Sequence, residues 1–376
     1  MPGAAAELRI EHDGPPSLAD AAAAEGQTAA DARWLRRLVA TGLPHCIANA
    51  RGELHLLGDW PVYVPPPDAG RAPEAYVLSP YVGWCVYGHG EIPTLDLSPL
   101  RQRAAHAALT VSARLARGLA LPQALVLDGW GLSTQAHAPG LAAALPALLA
   151  ACKKRWPGRA LCLRNVPASS ALADEARRLG AVLLPARVVH VYEGSEAPWL
   201  RQSAYQNDRR LVRRQALQAQ WLEQLPEALV PRVLALYQDT YLHRHSPLNP
   251  DYRPGWLRCS EGALRWLLLS EGQDLLGFAA VHERPGLMTV PMLGHDSRQP
   301  RERGLYRQLA VHLYDHAAER SLSFNFSSGA GHFKRQRGST PALEYTALWP
   351  QPMQGPLWRG LAAACRPQEA QMLQRF

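Results

Sequence analysis

The stretch "DLLGFAAVHERPGLMTVPMLGHD", Asp274 to Asp296, constrains this chain more than any other. Two runs of strand-forming residues meet at an Arg-Pro-Gly turn, the signature of a hairpin. A basic loop follows, "SRQPRERGLYR", and then an amphipathic helix of about five turns within "RERGLYRQLAVHLYDHAAERSLS". "SFNFSS" and "PALEYTALW" read as closing strands around a small-residue turn. A hairpin, a helix and two more strands require a sheet flanked by helices, an α/β (α+β) arrangement with a mixed, mostly antiparallel sheet.

Upstream, "RQSAYQNDRRLVRRQALQAQWLEQL" (201–225) reads as one polar helix with five arginines, and marks a domain boundary or connecting helix. "PEALVPRVLALYQDTYLHRH" reads as helical, as does "GALRWLLLSEG", ending at Gly272. The first half shows a blurred version of the same order. "DARWLRRLVATG" has Asp31 as a helix cap, and "HCIANA", "ELHLLGDWPVYVP" and "AYVLSPYVGWCVYG" read as strands. Helices at Ser98–Leu119 and Gly140–Trp156 precede the strands "QALVLDGWG" and "RALCLRNV", and a helix, a Gly stop and one or two strands complete the half. No sequence repeat accompanies this order, so an internal duplication rests on order alone. The expected organisation is a flexible segment 1–28, domains at 29–198 and 199–352, and a tail 353–376.

With 376 residues, 47% apolar and 19% charged, the chain has material for two cores and is far from the composition of a disordered protein. The net charge of +8 comes mainly from arginine, which suits phosphates on a cofactor, a tRNA or a headgroup, and equally suits a GC-rich codon bias. Six scattered cysteines without a C-x-x-C pair argue against a metal site or a disulfide framework. The amino terminus has no basic-then-apolar signal pattern, and no segment reaches the length of a membrane span, so a soluble cytoplasmic protein is expected.

The order of the second half resembles the GNAT acyltransferase superfamily, and "SFNFSSGAGHFKRQRGSTPALEY" looks like its FemAB-like (BioF2-like) branch. In that branch a strand, a small-residue turn, an aromatic-Lys pair and a Gly close the C-terminal domain, places held here by "NFSSGAG", Phe333, Lys334 and Gly338. "RERGLY" resembles the GNAT phosphate loop, with Arg301, Gly304 and Tyr306 in its positions; Tyr306 is a departure, since the family has a small residue there. The resemblance spans about Arg201 to Trp349 and is weaker over the first half. It implies tandem GNAT-like domains with a cleft between them, and transfer of an acyl group from acyl-CoA, or of an aminoacyl group from aminoacyl-tRNA, onto an amine.

Elementary chemistry assigns candidate roles. A loop opening a helix presents unpaired N–H groups and a positive dipole end to an anion; Arg298, Arg301, Arg303 and Arg307 add charge, and Gly304 permits close approach. Lys334, one of few lysines, is a candidate to stabilise an oxyanion or to bind donor phosphate, with Phe333 orienting it. Either loop is also readable as a solvated turn. The attacking amine needs a proton acceptor: Glu344 is one candidate, although alternation sets it with Thr346 on a face open to solvent, and His295 and Asp296 are rivals. Tyr81, Trp84, Trp130, His243 and His245 are candidate acceptor-pocket residues, each also explicable as core or loop. His243 and His245, two apart, make a poor metal pair, and "GWGLS" is no nucleophile elbow, because Trp130 holds the central place.

The expected activity is N-acyl transfer from acyl-CoA, with no metal, to an amine of a small molecule, amino acid or peptide by direct attack in a ternary complex. Two alternatives stand beside it. One is aminoacyl-tRNA-dependent transfer, in which the arginine-rich segment tracks a phosphate backbone; the other is a non-catalytic binding module.

Overall fold

The structure, a computed structural model, describes residues 27–94, 97–194 and 197–375; most of the expected flexible segment lies outside them. The first half runs α1 (Gln27–Thr41), α2 (Leu43–Cys46), β1 (Glu53–Leu57), β2 (Trp60–Val64), a π-helical turn (Val82–Val86), α3 (Tyr87–Glu91), α4 (Pro99–Gly118), β3 (Leu125–Leu127), α5 (Leu141–Arg155), β4 (Leu161–Pro167), α6 (Ala171–Arg178) and β5 (Val182–Tyr192). The second runs α7 (Ser203–Gln215), β6 (Gln218–Leu222), α8 (Val230–Tyr237), a π-helical turn (Gln238–His243), α9 (Pro254–Cys259), β7 (Arg265–Glu271), β8 (Asp274–Arg284), β9 (Leu287–His295), α10 (Leu305–Glu319), β10 (Ser323–Asn325), α11 (Gly331–Arg335), β11 (Thr340–Trp349) and α12 (Gly355–Arg375).

Among the described residues eleven strands form one sheet in the order β1-β2-β3-β4-β11-β5-β10-β9-β8-β7-β6. Only β3–β4 and β9–β10 pair in parallel, each across a helical crossover, α5 or α10. The order is a palindrome of roles. Each half ends in a strand, β5 or β11, that pairs with the other half's preceding strand, so the two final strands are exchanged and lie side by side at the centre. This is the duplication that element order suggested. No sequence repeat accompanies it, and a sheet buried on both faces asks only for apolar residues of fitting size.

One core cluster packs α1, α2, α5, α6, α8 and α9 against the sheet, and a second packs α7 and α10. A third lies under α4 and α12. In β7, Trp266 and Leu268 face the first core while Leu267 and Leu269 face the second.

That two-sided burial corrects the helix expected over "GALRWLLLSEG", because a short apolar run has no period by which to tell strand from helix. The single polar helix expected over 201–225 breaks at Ala216, whose φ of 49° ends α7, and β6 follows. The expected strand "AYVLSPYVGWCVYG" is turns, π-helix and the start of α3, and "HCIANA" opens on the last two residues of α2. Asp31 is no cap: α1 begins earlier, and the Asp31 carboxylate pairs inside with His282 (2.7 Å) and Arg284 (3.0 Å).

Candidate functional site

The exchanged strands meet at Glu344 on β11, whose register partner on β5 is Arg187. Arg187 Nε donates to the Glu344 carboxylate at 2.7 Å. Two asparagines complete the cluster: Asn165 Nδ2 donates at 3.0 Å and Asn325 Nδ2 at 3.2 Å. They are counterparts. Asn165, on β4, precedes the α6 cap Ser170 by the same spacing at which Asn325, on β10, precedes the α11 cap Ala330. Glu344 is buried, so the solvent-facing alternative does not hold. Burial alone would raise its pKa; Arg187 and the asparagine bonds outweigh that and hold it below the ordinary value. A carboxylate so engaged is a poor proton acceptor.

Lys334 is also buried, on α11, with its ammonium turned inward. Its three protons go to backbone carbonyls of the loop it follows, at Phe326 (2.5 Å), Ser327 (3.2 Å) and Ser328 (2.8 Å), and it stands 4.7 Å from the Phe326 ring. Burial, then nearby Arg187, pushes its pKa down to about 7. Through these three contacts Lys334 ties the small-residue loop to α11.

Asp296, at the end of β9, is likewise spent. Arg298 binds both its oxygens (2.9 and 2.8 Å) and Arg232 adds a third contact (2.8 Å). The Arg298 bonds, which outweigh burial, hold its pKa well below the carboxylate range. His295 differs. It is half-buried, and desolvation followed by Arg244 lowers its pKa, leaving a neutral imidazole at pH 7. Of the three acid–base candidates it alone is free to take a proton.

Around His295 stands an aromatic wall. Tyr306, in the first turn of α10, lies 6.4 Å from the His295 ring, stacks on Phe326 at 6.0 Å and meets Phe333 at 5.1 Å. The bulky residue at the departure position therefore packs beyond the end of the short β10, whose pairing with β9 stops at Thr289 while β9 continues to His295 against β8. Tyr241, in the second π-helical turn, is raised to about 12 by burial and by Tyr76. Tyr76 packs on Tyr87 (4.9 Å) and lies beneath the Arg164 guanidinium (5.3 Å). The second-half loop is held to the first half by Leu248 O accepting from Tyr76 N (2.9 Å) and by paired bonds through Asn49. Sequence reasoning missed Tyr76, Tyr241, Arg164, Arg187 and the two asparagines; the matched spacing of Asn165 and Asn325 before their helices was the available signal.

The basic loop does not act as a unit. Arg298 is held by Asp296, and Arg303 by Glu271 and Gln299. Arg301 is exposed and has no ion-pair partner among the described residues. Gly304 has φ 56°, and a Cβ there would lie 2.6 Å from Leu211, so backbone and packing alone require the glycine. Arg307 points the other way, to α7. The buried Asp208 accepts from Arg307 Nε and Arg337 Nε, both at 2.6 Å, and Arg337 lies over Phe333 at 3.4 Å. Beside this clamp an open groove of about 510 Å³ is lined by Asn207, Arg210, Arg213, Arg214 and Arg307. The arginine helix and the start of α10 thus make one basic surface.

The remaining pocket candidates scatter. Trp130 is fully buried between Trp34 (4.8 Å) and His282 (6.0 Å), a core residue, and Tyr81 is buried under Arg117. Trp84 is half-buried against the third core. His243 and His245 are exposed, with His245 6.0 Å from Tyr241. No group of three or more metal-ligating side chains occurs among the described residues.

No family model matches the chain, and no curated protein does. Solved structures do. L-PGS from Bacillus licheniformis aligns at 14% identity, over 64% of this chain and 83% of that one, with a TM-score of 0.47. The C-terminal domain (DUF2156) of a putative lysylphosphatidylglycerol synthetase from Agrobacterium fabrum gives 13%, 64%, 82% and 0.45. FemX gives 11%, 58%, 79% and 0.43.

Proposed function

We propose that the chain is an amide-forming transferase that takes an aminoacyl group from aminoacyl-tRNA and places it on an amine. The observation that carries this reading is the open arginine groove of α7 and α10, set against the first turn of α10 while Tyr306 fills the space behind it. Phosphate backbones suit exposed guanidiniums on a helix face. An amine attacking the ester carbonyl passes its proton to His295, which returns it to the leaving ribose hydroxyl. The Glu344 cluster and Lys334 hold the strand ends and loop that border this space.

One observation favours a second donor. The first N–H groups of α10 have no intrahelical acceptor, and Arg307 lies beside them, an arrangement that suits the pyrophosphate of acyl-CoA. That donor also carries its thioester on a long arm, and Tyr306, the chain neighbour of Arg307, lies 6.4 Å from the His295 ring. Titration of tRNA and of acyl-CoA against wild type and the Arg210→Gln/Arg213→Gln/Arg214→Gln variant separates the two. The expected result is salt-dependent tRNA binding whose log–log salt slope falls by about three in the variant. Binding of acyl-CoA alone, with an unchanged response in the variant, would replace the first reading by the second.

A further inference from the structure

Helix α4 is amphipathic in the wrong sense for a globular protein. Its inner side packs through Ala116 into the core shared with Trp358 and Ala362 of α12. Its outer side exposes Leu100 (77%), Val111 (53%) and Leu115 (60%). The helical period sets Leu100, Ala104, Ala107, Val111 and Leu115 on one stripe, all exposed, with Arg103 and Arg114 along one border and Arg101 along the other. The stripe spans about 22 Å. Met353, just before α12, and Leu357 and Leu361 on it are exposed as well, at 93%, 56% and 48%. Scattered leucines on a surface are ordinary; a continuous stripe between arginine borders marks an interaction face.

We infer that α4, with the exposed leucines of α12, docks the protein on an anionic membrane surface. The charge on the helix selects this occupant. α4 carries Arg101, Arg103, Arg114 and Arg117 and no acidic residue, so a second copy laid against it would set arginine against arginine. An acidic headgroup layer instead receives the borders while the acyl boundary takes the stripe. Among the described residues no helix is long and apolar enough to cross a bilayer, so the contact is peripheral. The inference is independent of the donor reading, since it uses neither the α7 groove nor the residues around His295.

The test is co-sedimentation of the full chain with phosphatidylglycerol-containing vesicles and with pure phosphatidylcholine vesicles, alongside size measurement in solution. Wild type is expected to bind the anionic vesicles and to leave the zwitterionic ones. Val111→Glu/Leu115→Glu abolishes binding, and each Arg103→Gln or Arg114→Gln weakens it roughly fivefold. These side chains are exposed, so the variants keep the wild-type melting temperature, which the same samples check. Failure to bind either vesicle, or binding that survives Val111→Glu/Leu115→Glu, overturns the inference. A dimer that the same double variant dissociates also overturns it, because the face then belongs to a second copy.

Discussion

Glu344 sits where four strands from both halves converge, and its loss is a quantitative test of that junction. Glu344→Ala removes the partner of Arg187 Nε and the acceptor of two asparagine amides at once. Arg187 is mostly buried and already has one guanidinium nitrogen without a partner, so the variant leaves a largely desolvated charge uncompensated. Breaking a buried pair from one side costs about 3–5 kcal/mol, which at roughly 2 °C per kcal/mol for a chain above 150 residues lowers the melting temperature by about 6–10 °C. Arg187→Met/Glu344→Leu replaces both ion-pair partners by apolar groups of similar size and recovers the part of that loss due to the unpaired guanidinium, leaving the Asn165 and Asn325 amides without their acceptor. The assay is thermal and urea unfolding of wild type, both singles and the double. A Glu344→Ala shift below about 2 °C, or a double variant as unstable as the sum of the singles, would refute the junction as described.

Three further outcomes are expected. Lys334 has a folded pKa of about 7, below that of a free lysine, so between the two values the folded state holds fewer protons than the unfolded. Stability therefore rises with pH across that window, by about 2–3 kcal/mol from pH 7 to 9 relative to Lys334→Met, as urea unfolding at several pH values will read. Gly304→Ala loses about 1–2 kcal/mol in the same unfolding measurement, through its left-handed backbone, with a further loss from the contact with Leu211. Trp130→Ala, in the core beside Trp34, loses about 3–5 kcal/mol of stability and leaves tRNA affinity per folded molecule unchanged in a binding titration.

What the sequence revealed follows the strength of its local signals. The hairpin β8–β9, the crossover helix α10 and the closing strands β10 and β11 were legible because turn residues and periodicity agree there. β7 was not, since tertiary pairing on both sides overrode a leucine-rich run. The exchange of β5 and β11 leaves no local trace at all: which strand lies between β4 and β5 is decided by pairing across more than a hundred residues. The same reason hid the site. Lys334 and Glu344 were found by motif, but what they touch comes from β4, β5 and β10, and Arg187 has no motif around it. The basic loop looked like one anion grip, yet Arg298, Arg303 and Arg307 are spent on neighbouring carboxylates, and Arg301 alone of its four candidate arginines has no ion-pair partner among the described residues.

The most direct test of the central claim is transfer itself: single-turnover movement of a labelled aminoacyl group from tRNA to a panel of amines, with wild type and His295→Ala at equal tRNA occupancy. The account predicts label in an amide product with wild type, and a loss of about 10²–10⁴-fold in rate with His295→Ala while tRNA binding is retained. Label that stays on bound tRNA with every amine, or transfer that His295→Ala leaves unchanged, would contradict it.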